Sequence, residues 1–108
     1  METQQIKFSH TLEPLTGVKY SEKSQIKGLI KQILIHYPDG CNGLVNVRTG
    51  NYQGQILPKE GWLSLNDSTA TFPMAEPIEQ KEEVWVEMEN HDEDENHTIT
   101  VVFSIDKG

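Results

Sequence analysis

Apolar residues recur at every second position along much of this chain, and a period of two is the mark of half-buried β-strands. The clearest run is 98–105, where Ile99, Val101, Phe103 and Ile105 face one way and Thr98, Thr100, Val102 and Ser104 the other. Residues 84–89 repeat it, with Val84, Val86 and Met88 on one face and Trp85, Glu87 and Glu89 opposite. The polar run 90–97 lies between them, which predicts that the two strands pair as an antiparallel hairpin across a long loop. Residues 6–12 alternate Ile6, Phe8, His10 and Leu12 with charged and hydroxyl side chains ahead of Pro14, as an edge strand does. Residues 44–48 and 52–57 give two more strands around the turn Thr49-Gly50-Asn51, the second closed by Pro58. Residues 61–67 read as a short strand entering an Asn-Asp-Ser turn. Residues 69–72 resume extended structure before Pro73, and Pro77-Ile78 begins another stretch.

One segment is ambiguous. Ile26, Leu29, Ile30, Ile33, Leu34 and Tyr37 follow the spacing of an amphipathic helix. Against a helix stand Gly28 inside the stripe, the consecutive Ile33-Leu34-Ile35, and the turn Tyr37-Pro38-Asp39-Gly40, whose proline pushes the preceding residue toward extended geometry. A strand there puts Leu29, Ile33, Ile35 and Tyr37 on one face and Ile30, Leu34 and His36 on the other. The strand is adopted, and a helix over 24–37 on an antiparallel sheet is the alternative. Short strands punctuated by Pro, Gly and Asn-Asp turns predict an all-β fold: an antiparallel β-sandwich, jelly-roll-like, forming a single domain over 1–108. Residues 1–24, with few large apolar side chains after Leu15, are expected to be an extended N-terminal arm that orders against a neighbouring subunit.

The 108-residue length admits one core, and 35% apolar with 24% charged residues suits a small folded domain better than a disordered tail. The net charge of −8 argues against nucleic acid, whose phosphates are bound mainly by Lys and Arg. That charge is unevenly placed. Residues 1–75 hold seven basic and six acidic groups, whereas 76–108 hold two and eleven, a net −9. The absence of a long apolar run and the polar start Met-Glu-Thr-Gln-Gln give no expectation of a membrane span or signal peptide. The single cysteine, Cys41, makes no internal disulfide and fits a reducing compartment.

Several clusters invite chemistry. Residues 91–97 gather four carboxylates with His91 and His97, donors suited to Ca²⁺ or to Zn²⁺ and Ni²⁺. They lack the spacing of a calcium hand or a zinc finger, and a solvated tip that guards strand edges is the expected role. Cys41 has His36 as its nearest histidine in sequence, but no hydrolase motif surrounds it, and a free Cys commonly behaves as a small buried hydrophobe. Pairs such as Glu82 with Glu83 and Glu87 with Glu89 suggest a glycosidase, yet such pairs are expected by chance in an acid-rich strand. No catalytic, cofactor-binding or metal-ligating residue is therefore assigned. Trp85 lies on the face opposite its apolar neighbours, so with Trp62 and Tyr52 it is taken as a candidate interface, either for protein or, with Tyr20, as a sugar platform.

The series Tyr37-Pro38-Asp39-Gly40-Cys41-Asn42-Gly43-Leu44-Val45, then Gly61-Trp62, Asn66-Asp67, Thr71-Phe72, Asn90-His91-Asp92 and His97-Thr98-Ile99-Thr100-Val101, resembles small β-sandwich proteins of tailed phages and prophages. The resemblance spans about residues 26–105 and carries no catalytic motif. It implies a virion component, a capsid decoration protein or a head or tail accessory, that forms symmetric homo-oligomers and attaches to a larger protein assembly such as a capsid. Such a protein would be found in the virion or the host cytoplasm. The function expected is thus non-enzymatic and structural, with a carbohydrate-binding module as the alternative.

Overall fold

The structure, a computed structural model, describes residues 3–107. Eight strands follow in order: β1 (Thr3–Leu12), β2 (Gly17–Lys23), β3 (Gly28–Tyr37), β4 (Val45–Asn51), β5 (Gly54–Leu57), β6 (Ser68–Ile78), β7 (Glu83–Asn90) and β8 (His97–Lys107). They form two four-stranded antiparallel sheets, β1-β8-β3-β6 and β2-β7-β4-β5. The chain passes from one sheet to the other at every connection except β4 to β5, which is the eight-stranded jelly-roll order.

The alternation in the sequence becomes one shared interior. Ile99, Val101, Phe103 and Ile105 of β8 meet Val84, Val86 and Met88 of β7, and Phe8 sits edge-to-face on Phe103 with ring centres 5.9 Å apart. Each fully buried Val, Ile or Phe contributes about 1.5–3 kcal/mol by leaving water. Tyr37 is buried with them, and its hydroxyl donates to the Leu63 carbonyl at 2.6 Å. Burial pushes that phenol's pKa well above its ordinary range.

Residues 24–37 contain β3, not a helix. The stripe that imitates a helix has a local cause: the register shifts between Ile30 and Gln32, a β-bulge at Lys31. The bulge inverts the inward and outward faces, so Ile30 is buried and Leu29 only half-buried, the reverse of a regular strand.

Four other expectations are corrected. β7 and β8 do not pair as a hairpin: β7 lies between β2 and β4, β8 lies between β1 and β3, and residues 91–96 cross between the sheets. The expected arm is strand. β1 pairs along its length with β8, and β2 pairs with β7; Met1 and Glu2 lie outside the described residues. Residues 61–67 make only the isolated bridge Leu63–Val47. The stretches on either side of Pro73 are one strand, β6, which tolerates Pro73 and Pro77 because it is an edge.

Gly50 is closely approached from two sides. A Cβ there would collide with the Gly54 carbonyl and the Trp85 ring. Gly50→Ala is expected to destabilise the fold by about 1–3 kcal/mol, the usual penalty of overpacking, read as a lower urea midpoint with an unchanged slope.

Candidate functional site

On the outer side of β2-β7-β4-β5 the register sets up a ladder. Trp85 stands between Gly50 and Ser21, Glu87 between Arg48 and Lys19, and Glu89 between Asn46 and Gly17. The missing side chain at Gly50 gives the Trp85 ring its seat, and the indole Nε1 donates to the Asn51 carbonyl at 2.9 Å. Lys19 Nζ lies 4.7 Å from the ring centre, a cation–π contact.

Trp62 reaches the same face by another route. The Leu63–Val47 bridge fastens the segment after β5 along β4, and this sets Trp62 against Arg48, whose guanidinium carbon is 4.0 Å from the ring centre. Arg48 in turn places Nη2 at 2.6 Å and Nε at 2.8 Å from the same Glu87 oxygen. Arg48 and Glu87 are 33% and 28% exposed, so this pair is held more firmly than a solvated one. Lower on the face, Ser64 Oγ donates to Asn46 Oδ1. Trp62, Arg48, Glu87, Lys19 and Trp85 thus make a pre-ordered aromatic and cationic surface on one sheet.

Of the three candidate interface residues, Trp85 and Trp62 share this face, and Tyr52 stands at its rim, 60% exposed on the β4–β5 turn one residue beyond Asn51. Arg48 and Lys19 were not singled out from the sequence, and Glu87 was considered only in a carboxylate pair with Glu89, not as the partner of Arg48. The alternation of 44–48 leaves Arg48 outward, which was the available signal; its stacking on Trp62 depends on a bridge that no local pattern announces.

The other clusters separate. Cys41 is buried, and its thiol pKa is pushed up by burial and further by Asp39 and Asp92, the opposite of what a nucleophilic thiolate needs. His36 points out of the other sheet, with Nδ1 2.7 Å from Thr69 Oγ1. Glu87 serves Arg48, whereas Glu89 lies 3.1 Å from His91 Nε2. His97 is buried and donates from Nε2 to Asp92 Oδ2 at 2.9 Å, so the two imidazoles serve separate carboxylates. Among the described residues no three His, Cys, Asp or Glu side chains gather as a metal site.

Residues 91–97 are more than a solvated tip, because part of the segment is structural. The buried Asn90 amide lies within hydrogen-bond reach of the Leu12, Glu13 and Glu95 carbonyls at 3.0–3.2 Å, and its Oδ1 accepts from Asp92 N–H at 2.9 Å. Asp92 Oδ1 accepts from the N–H groups of Asp94 at 2.9 Å and Glu95 at 3.3 Å. These bonds tie the end of β1 to the crossing segment.

Two solved structures are similar to this chain over nearly its whole length. The structure titled Yersinia pseudotuberculosis-derived mitogen matches with a TM-score of 0.54 at 7% identity, covering 97% of this chain and 88% of that one. The structure titled FLHE matches with a TM-score of 0.47 at 10% identity, covering 97% and 98%. At 7% identity the mitogen structure speaks for the fold alone. No protein-family model and no curated protein sequence matches the chain.

Acid should act through Asp92. The N–H of Asp94, then the His97 side chain, hold its carboxyl below the ordinary 3.8. With the folded pKa depressed, the ionised group stabilises the fold above the unfolded value, and this contribution is lost as pH falls through the folded one. Urea midpoints measured from neutral pH downward should drop below about pH 4, and Asp92→Asn should lower the neutral midpoint and flatten that acid limb.

Proposed function

We propose that this protein is a non-enzymatic assembly module, a homo-oligomeric jelly roll that docks onto a larger protein assembly through the outer face of β2-β7-β4-β5. The observation that carries this reading is the Trp62–Arg48–Glu87 stack beside the Trp85–Lys19 pair. Trp and Arg dominate the binding energy of protein interfaces. Here they are held by intramolecular contacts, so little side-chain freedom remains to be lost on docking. The sequence resemblance to virion accessories of tailed phages supplies the kind of assembly, a capsid or a head or tail structure.

The geometry favours protein over sugar as the ligand. A sugar platform presents bare ring faces, whereas Trp85 lies between Gly50 and Lys19 and Trp62 is faced by Arg48. The test is co-sedimentation with tailed particles purified from the host that carries the gene. The wild-type chain should sediment at a fixed ratio to the particles, and Trp62→Ala should weaken this at least about tenfold, a hot-spot loss, with an unchanged melting curve. Absence from the particles, or a glycan-array signal that depends on Trp62, would count against the proposal.

A further inference from the structure

The outer face of the other sheet has different chemistry. Down its middle run Thr100, Val102 and Ser104 of β8 beside His36, Leu34 and Gln32 of β3, paired row by row. β6 adds Thr69, Thr71 and Pro73 on one flank, and β1 adds Ser9 and Thr11 on the other. The hydroxyls are partly satisfied within the face: Ser9 with Thr100 at 3.1 Å, Thr11 with Thr98 at 2.8 Å, and Thr69 with His36 at 2.7 Å. Val102 and Leu34 at the centre are half-buried.

Charge sets this face apart. The chain carries 17 acidic residues and a net −8. Among the described residues, the charged side chains on the outward positions of these four strands are Lys7, Lys31 and Asp106, two positive against one negative. The carboxylates collect elsewhere. One end of the sandwich holds Glu13, Asp39, Asp67 and the four of residues 92–95, because backbone bonds from Leu15 to Asp92, Asp67 to Pro38 and His91 to Leu44 bring those loops together. The opposite end is mixed: backbone bonds between Ser24 and residues 81 and 82 bring Lys23, Lys27 and Lys81 together with Glu22, Glu79, Glu82 and Glu83, and Lys27 is paired to Glu79 at 3.6 Å.

We infer that two copies of this chain pack against each other through the outer face of β1-β8-β3-β6, with their long axes antiparallel. The inference rests on the assembly-module reading and names the surface that makes the oligomer. This broad face lets a second acidic copy approach without like-charge repulsion. The antiparallel setting keeps the two acidic ends apart and places each beside the mixed, near-neutral end of the other copy. Small side chains allow two sheets to stack at about 10 Å. Four strands of about nine residues present roughly 550 Å² in projection. Two such faces bury roughly 1,200 Å² once side-chain relief is counted, the lower end of a stable interface. Strand addition at the β6 edge is hindered by Pro73 and Pro77, which lack donors.

The experiment is light scattering on the full chain during size-exclusion chromatography, over a wide concentration range. The expected mass is twice the 12.3 kDa chain at the upper end. Val102→Glu, and separately Thr71→Glu at an exposed position, should each raise the dissociation constant at least about tenfold, the effect of placing paired like charges across a two-fold interface. Trp62→Ala should leave it unchanged, and melting curves confirm that each variant folds. A monomer at every concentration overturns the inference, as does an oligomer that resists both glutamates or that Trp62→Ala dissolves. A monomer that still binds particles through Trp62 removes this face and leaves the docking reading standing. A glutamate-sensitive dimer that binds no particle keeps this face and removes the docking reading.

Discussion

The structure depends on one constraint: two sheets share a single interior, so the inward positions of eight strands must stay in phase although nearly every connection changes sheet. Phe103 and Val101 on β8 pack against residues from β1, β3 and β7 that are far apart in sequence. No strand can slip by one residue without turning its apolar set out to water. Where a slip does occur, at Lys31, the bulge is compensated by Ile30 entering the core in place of Leu29. The crossings must then satisfy their own backbone groups at the ends of the sandwich, and Asn90, Asp92 and His97 do this at one end.

Once the interior is filled, the outward positions are free to differ, and the two faces have diverged. One carries tryptophans, an arginine and paired charges. The other carries hydroxyls and small apolar groups, with few charges. Much of the acidity of the chain collects at one end, among Glu13, Asp39, Asp67 and residues 92–95. The interior is occupied by packed side chains, so the chemistry that distinguishes the two sheets lies on their outward positions. On the proposed reading, one face serves the chain's own copies and the other its target, and the two faces are chemically distinct.

Much of the fold was legible because alternation is a local signal. The apolar inward residues of β7 and β8 were read correctly and Trp85 was placed outward, whereas the buried Asn90 and His97 that begin and end the crossing were read as loop. Sheet membership was not legible: the 90–97 run looks like a hairpin loop, and only long-range pairing shows that it crosses between sheets. β2 was missed because Gly17–Lys23 is an edge strand with just Val18 half-buried, so it carries almost no apolar pattern. The helical stripe of 24–37 came from a bulge, an insertion that changes a period of two into a local spacing of three. In the candidate site the tryptophans were visible, whereas the partners that fix them came from registers and a bridge that sequence spacing does not encode. The sequence resemblance pointed to a β-sandwich, and the mitogen structure, with a TM-score of 0.54, shares that fold.

Both tryptophans of the chain lie on the face assigned to the external partner, and the face assigned to self-association has none. Tryptophan emission therefore reports on one face alone. The most direct measurement is iodide quenching and emission wavelength of the wild-type chain at concentrations where light scattering finds monomer and where it finds dimer. The account predicts the same quenching constant and the same emission maximum in both states. A blue shift with loss of quenching on dimerisation would place Trp62 and Trp85 in the self-interface and contradict the division of the molecule into two working faces.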